Sequence, residues 1–265
     1  HNFHHSTNGN WAKYRGPLAT MSVDEYDALT PAQQRAYVRA RSLRMAPLGG
    51  FLYVLLNPRL NWLVGSVKLL WHVLRGKWVQ PRISLRAHAA QFKTPYWKSA
   101  AEYWHMTGNN LVLLSVWGLM CWQIGPLLFF AVYGVSTSLA GAAGIVLFTV
   151  QHNFEHSYAT ADEGWCYDTA ALHGTSYLAL PAWLNWFTAS IGYHHVHHLS
   201  ARIPNYRLAQ CHVENAHLFT TVRRLTLADI LPSLKFLLWN PYSRRIISVA
   251  EHEAAKAAPV LAPAH

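Results

Sequence analysis

The chain has 265 residues, 52% of them hydrophobic and only 13% charged, against roughly 25% charged in ordinary soluble domains, which points towards lipid. Its formal charge of +10 is spread between apolar segments, and no nucleic-acid motif is present, so lipid headgroups and an acidic protein partner are favoured over nucleic acid. Cys121, Cys166 and Cys211 are odd in number, far apart and in no Cys-x-x-Cys pair, which argues against a disulfide framework or a structural zinc site.

In chain order, the sequence opens on HNFHHSTNGN, with no initiator Met and no charged-then-apolar leader, and reads as a fragment of a longer protein. A polar region follows. Ser22 with Glu25, and Thr30-Pro31 with Gln33, are capping-box patterns that predict two short helices. Arg35, Arg39, Arg41 and Arg44 then crowd together before APLGGFLYVLL, which places this region on the cytoplasmic side. The apolar stretches 46–56 and 60–74 flank NPRLN and are each shorter than the roughly 20 residues of a spanning helix, so a tight hairpin or an interfacial pair is expected. A basic, aromatic connector with Arg82, Arg86, Lys93 and Lys98 reads as cytoplasmic or interfacial.

Stretches 109–124 and 126–151, separated by Gly125-Pro126, give the clearest membrane signal. As a helix, residues 127–150 would measure about 36 Å, enough to cross the hydrocarbon core. Gly134, Ser138 and Ala142 recur every four residues as a small-residue face. Two crossings return the chain to its starting side at His152. The segment 177–192, interrupted by Pro181 and Asn185, is expected to be interfacial or re-entrant. Residues 255–265 are expected to form a disordered tail, leaving 1–254 as the domain.

The histidines carry the chemistry. In His194-x-x-His197-His198, positions i, i+3 and i+4 share one side of a helix, so three imidazoles can converge. His1-x-x-His4-His5 repeats the pattern, whereas His72, His88, His105, His212, His217, His252 and His265 read as ordinary core or surface groups. Imidazole suits iron, copper, zinc and nickel alike. Six or more histidines exceed the need of one tetrahedral zinc, two adjacent irons could use that many, and haem would want single axial ligands.

At these residues a resemblance emerges. HNFHH resembles the second histidine box, and GYHHVHHLSARIPNYRL the third, of the membrane fatty acid desaturases, most nearly the bacterial acyl-lipid Δ12 (omega-6) type. The likeness extends through MSVDEYDALTP, VQHNFEHSY and WCYDTAALHGTSYLALPAWLNWFTASIGYHH. It implies an all-α, integral membrane helical protein of the bacterial inner membrane with a cytoplasmic di-iron centre. By matching positions, His1, His4, His5, His194, His197 and His198 would be ligands, with His152 a further one; His195, His156 and His173 are second-rank candidates. The family's first box is absent, so the chain alone is expected not to complete a two-iron site and to be inactive.

Removing hydrogen from an unactivated methylene needs an oxidant derived from O2 at a metal, since acid–base side chains do not suffice. The implied reaction takes two hydrogens from neighbouring carbons of a membrane-lipid acyl chain, consuming O2 and two electrons. With no Rossmann fingerprint, iron–sulfur cysteines or P-loop, the electrons are expected from a ferredoxin or cytochrome b5-like protein, docked on the basic connector. Asp168 is a candidate hydrogen-bond partner of a ligand, with a loop or cap role as the alternative, and Glu155 stands likewise. A related hydroxylase, ketolase or alkane monooxygenase, and a non-catalytic membrane metal-binding protein, remain the alternatives.

Overall fold

The computed structural model describes residues 2–15 and 20–257. It is mostly helical (67%) and divides into two units, one of residues 46–144 and one joining the chain up to Met45 with everything from Ile145 onwards.

The N-terminal part begins with α1 (Asn2–Thr7), which stops where Gly9 takes a left-handed φ of 68°. Strand β1 (Met21–Ser22) leads into α2 (Val23–Asp27), where Ser22 accepts from the Glu25 amide and Glu25 accepts from the Ser22 amide. Helix α3 (Pro31–Ala40) starts the same way on Thr30 and Gln33. Both capping boxes thus form as their spacing predicts.

In the 46–144 unit, α4 (Ala46–Gly50), a π-helical stretch Phe51–Leu56 and α5 (Asn57–Val79) follow one another without a break. This corrects the expected hairpin. Pro58 falls in the first turn of α5, and the Val54 carbonyl that its missing N–H leaves without a helical donor accepts instead from the Arg59 guanidinium (3.0 Å), so NPRLN continues the helical path. Helix α6 (Leu85–Gln91) is capped by Ser84 and α7 (Ala100–Ile124) by Ser99. Gly125, at φ 83°, ends α7, and α8 (Pro126–His152) begins at once. Among the described residues, α8 alone is long and apolar enough to cross a membrane; α7 starts earlier than its apolar stretch, takes in Glu102 and His105, and carries Asn110 within the stretch itself.

Helices α4 and α8 meet backbone to backbone. A Cβ on Gly50 would lie 2.6 Å from the Gly141 carbonyl carbon, and one on Gly141 would lie 2.6 Å from the Gly50 Cα. Gly134 and Ser138 line an open apolar groove with Pro47, Phe51 and Phe130, so the small-residue face opposes this same segment. Gly50→Val is expected to force the helices apart and cost at least about 1–3 kcal/mol, read as a lowered melting temperature of the detergent-solubilised protein.

From Ile145 onwards the elements are short: α9 (Tyr167–His173), β2 (Ser176–Leu178), α10 (Ala182–Phe187), α11 (His194–Leu199), α12 (Leu208–Glu214), β3 (Arg223–Leu225), α13 (Ile230–Ser233), β4 (Phe236–Asn240), β5 (Arg245–Ser248) and α14 (Val249–Ala257). Strand β2 pairs in parallel with β3. β4 pairs antiparallel with β5 and, on its other edge, in parallel with β1. The all-α expectation is therefore corrected by two small sheets. Val23, Tyr26, Tyr37, Leu237, Leu238 and Ile247 form one core, in which the Tyr37 hydroxyl donates to the Leu237 carbonyl (2.7 Å) and accepts from the Met21 amide (3.0 Å). A second core joins Val150 and Phe154 to Leu178 and Leu225, tying the end of α8 to the β2–β3 pair. Residues 255–257 belong to α14, which corrects the start of the tail; the rest of that tail lies outside the described residues.

Candidate metal centre

Three elements bring the histidine boxes together. Helix α1 supplies His4 and His5, the last residue of α8 is His152, and α11 supplies His194, His197 and His198. Their placement is fixed by bonds between segments far apart in sequence. Asn8 Nδ2 donates to the Ala170 carbonyl (2.9 Å) and Trp165 Nε1 to the Asn8 carbonyl (2.8 Å), which ties the end of α1 to α9. The Tyr167 hydroxyl donates to the His198 carbonyl (2.5 Å), which ties α9 to α11. Gln151 Nε2 donates to the Ile191 carbonyl (2.6 Å), which ties α8 to the turn before α11.

Within this frame, one ring nitrogen from each of His4, His152, His194 and His198 lies within 4.8 Å of the others. Nε2 of His152 and of His194 are 2.9 Å apart. His4, His194 and His198 are buried. His5 and His197 stand beside this group, with ring centroids 4.4 Å apart and His5 4.3 Å from His198. The shared helical face of α11 thus divides: His194 and His198 join the four-histidine group, while His197 faces His5. His1 lies outside the described residues.

The electrostatics suit a cation. Burial, reinforced by neighbouring His152 and His5, lowers the pKa of His4 to about 3. Burial likewise holds His194 and His198 far below the ordinary imidazole range, with neighbouring histidines adding to the effect. These rings are therefore neutral at pH 7 and present lone pairs. His152 Nδ1 lies 3.2 Å from the Gly174 carbonyl. That oxygen can only accept, so the proton sits on Nδ1 and the lone pair of Nε2 is turned to the centre. Both ring nitrogens of His4 and of His198, and Nδ1 of His194, have no hydrogen-bond partner among the described residues. A buried polar atom left this way costs about 1–3 kcal/mol. Several at one point fit a metal bound through imidazole, and no carboxylate or thiolate stands among the four donors.

The other candidates lie elsewhere. His156 is exposed, in a left-handed turn (φ 67°), and His173 is exposed at the end of α9. His195, fully buried, faces away from the group and places its Nε2 2.9 Å from His212 Nδ1. The Phe219 ring packs on both. His195 and His212 therefore hold α11 to α12. His212→Leu should remove that bond, leave a buried nitrogen unpaired and cost about 1–3 kcal/mol in denaturant unfolding. Asp168 sits in the first turn of α9, where a carboxylate favours the helix N-terminus. Glu155 pairs with Arg223 at 3.5 Å. The oxygen that orients His152 is the main-chain carbonyl of Gly174, and the hydroxyl that fixes α11 belongs to Tyr167. Neither has a sequence signature, because backbone acceptors are present at every residue.

Comparison with known proteins agrees with this arrangement. The family model described as fatty acid desaturase matches residues 32–226. A "Fatty acid desaturase" of Bacillus subtilis (strain 168) is 32% identical over 264 residues, covering 99% of this chain and 65% of the relative, so the chain spans about two-thirds of that protein. Histidine boxes converging at the end of an apolar helix, together with a match over most of the sequence, make this chain a member of the fatty acid desaturase family.

Proposed function

We propose that the protein is an O2-dependent membrane desaturase of the Δ12/omega-6 type, which introduces a double bond into the fatty acyl chains of membrane lipids. The observation that carries this reading is the set of buried, neutral imidazoles aimed at one point. His4, His152, His194 and His198 would hold one iron, with His5, His197 and His1 as ligands towards a second. When bound, the iron pair supplies the oxidising chemistry that an unactivated methylene demands. The chain's own residues keep the ligand rings neutral by burial, fix the His152 tautomer through the Gly174 carbonyl and hold α11 in register through Tyr167.

In this reading α8 crosses the bacterial inner membrane and delivers His152 to the cytoplasmic face, where the other histidines gather. Arg82, Arg86, Lys93 and Lys98 are all exposed and suit an acidic ferredoxin or cytochrome b5-like donor. The test is gas chromatography–mass spectrometry of total fatty acids from cells producing the full-length protein with a ferredoxin and its reductase, beside a His198→Ala control. A new double bond present only with the unaltered protein supports the reading and gives its position. A hydroxylated product would point to a related oxygenase, and tightly bound zinc with an unchanged acyl profile to a metal-binding role.

A further inference from the structure

The segment between β2 and α11 forms a small aromatic knob. On α10, Trp183, Trp186 and Phe187 occupy positions i, i+3 and i+4 and are 62%, 76% and 73% exposed. The rings touch one another, with Phe187 centred 5.0 Å from Trp186 and 6.5 Å from Trp183. The polar groups of the same segment turn inwards: Asn185 Nδ2 donates to the Leu180 carbonyl (3.0 Å), the Thr188 hydroxyl to the Leu184 carbonyl (2.8 Å) and the Ser190 amide to the Asn185 carbonyl (2.6 Å). The knob is thus internally tied, and its outward face is apolar, made of the three aromatic rings with Pro181, Ala182 and Ala189. Leaving such side chains in water forfeits roughly 1.5–3 kcal/mol each, so this face calls for a partner.

Two observations say which. First, both ends of the knob are fixed to the last two turns of α8. Leu178 and Leu180, just before α10, pack with Val146, Leu147 and Val150, and the Ile191 carbonyl, just after it, accepts from Gln151. The knob therefore sits beside the stretch through which α8 leaves its apolar run. Second, no Asp, Glu, Lys or Arg occurs between His173 and His194, in a chain of net charge +10. An acidic protein partner would be recruited by charge, whereas Trp and Phe without charge suit the headgroup level of a bilayer.

We propose that α10 is a membrane-interface anchor, with Trp183, Trp186 and Phe187 seated in the lipid leaflet from which α8 emerges near His152. It rests on the reading that α8 crosses the membrane. The anchor gives the histidine site a second attachment to the bilayer besides α8 and holds the site against the lipid surface.

Site-directed spin labelling tests this. The full chain, with Cys121, Cys166 and Cys211 replaced by serine, is reconstituted in phosphatidylcholine–phosphatidylglycerol nanodiscs. It carries a nitroxide at Trp186→Cys, Phe187→Cys, Leu139→Cys on α8 or Tyr242→Cys, all exposed positions. Collision with O2 and with a water-soluble nickel chelate reports depth. The expected result is a deep label at 139, a water-like label at 242, and shallow labels at 186 and 187 that meet O2 more readily than nickel. Water-like labels at 186 and 187 with a deep label at 139 overturn the anchor and leave the membrane reading intact. Protection from both reagents at 186 and 187 means that a protein surface covers the knob, which also overturns it. A water-like label at 139 as well removes the membrane reading and the anchor together.

Discussion

Replacing His198 with alanine is expected to abolish tight binding of a divalent metal, monitored with Co2+ through its visible absorption. The ring is 1% exposed, and its centroid lies 4.5–4.9 Å from those of His4, His152 and His194 and 4.3 Å from that of His5. No other described histidine touches so many of the set. Loss of a partner outside the metal shell costs about 10–100-fold in affinity, and the loss of a donor at the middle of the group should exceed that. The metal-free protein should respond differently. Alanine leaves a cavity, but it also removes two buried nitrogens that have no partner, and the two contributions oppose each other. A nearly unchanged melting temperature without metal, beside a lost Co2+ spectrum, is the expected pair of results. Wild-type Co2+ affinity in the variant would sink the assignment of this cluster as the metal site.

Gly192→Ala should be as damaging although it touches no histidine. A Cβ at this position would lie 2.5 Å from the Leu178 carbonyl oxygen and 2.9 Å from Asn185 Oδ1. The carbonyl cannot retreat alone, because Leu178 is fully buried among Val150, Phe154 and Leu225 and its strand is paired with β3. Inserting one carbon into a packed interior costs about 1–3 kcal/mol, and here backbone blocks the relief. Box three begins two residues later, so the displacement is passed to His194 and His198. We expect a lowered melting temperature together with weakened Co2+ binding. Gly118→Ala is the matched control, since nothing lies within 4 Å of its added carbon. In mid-helix it should be neutral or stabilise by about 0.5–1 kcal/mol. Equal effects at both positions would contradict the packing argument.

Much of the site was legible because its chemistry is written in side chains at helical spacing. The i, i+3, i+4 pattern placed His194, His197 and His198 on one side of α11, and the long apolar stretch 126–151 put His152 at the end of a helix. The caps at Ser22 and Thr30 were legible for a similar reason, being contacts between neighbours in sequence. What escaped the sequence depends on distant partners. β1 has two residues and β2 three, too few to show alternation, and each exists only because a strand near the C-terminus pairs with it. NPRLN looks like a break, but the π-helical turn before it and the Arg59 side chain on the Val54 carbonyl carry the helical path past Pro58. His195 and His212 are 17 positions apart and differ from the ligands only in the direction their rings face.

The pairing of β1 with β4 also has a consequence for biosynthesis. Trp11, shortly after α1, stacks on Trp239 with centroids 4.7 Å apart and packs with Ile246, while the Thr160 carbonyl that accepts its amide lies in a segment that pairs with Arg245. On the ribosome, His4 and His198 are both made well before the β4–β5 hairpin emerges, yet the frame that steadies α1 is finished only by that hairpin. Such long-range closure comes late and slowly. Nascent chains therefore pass through an interval in which the histidines of the metal group exist and the Asn8–Ala170 and Tyr167–His198 bonds can form, while the Trp11 side of the frame is still open, and tight metal loading is expected only once the hairpin has closed it.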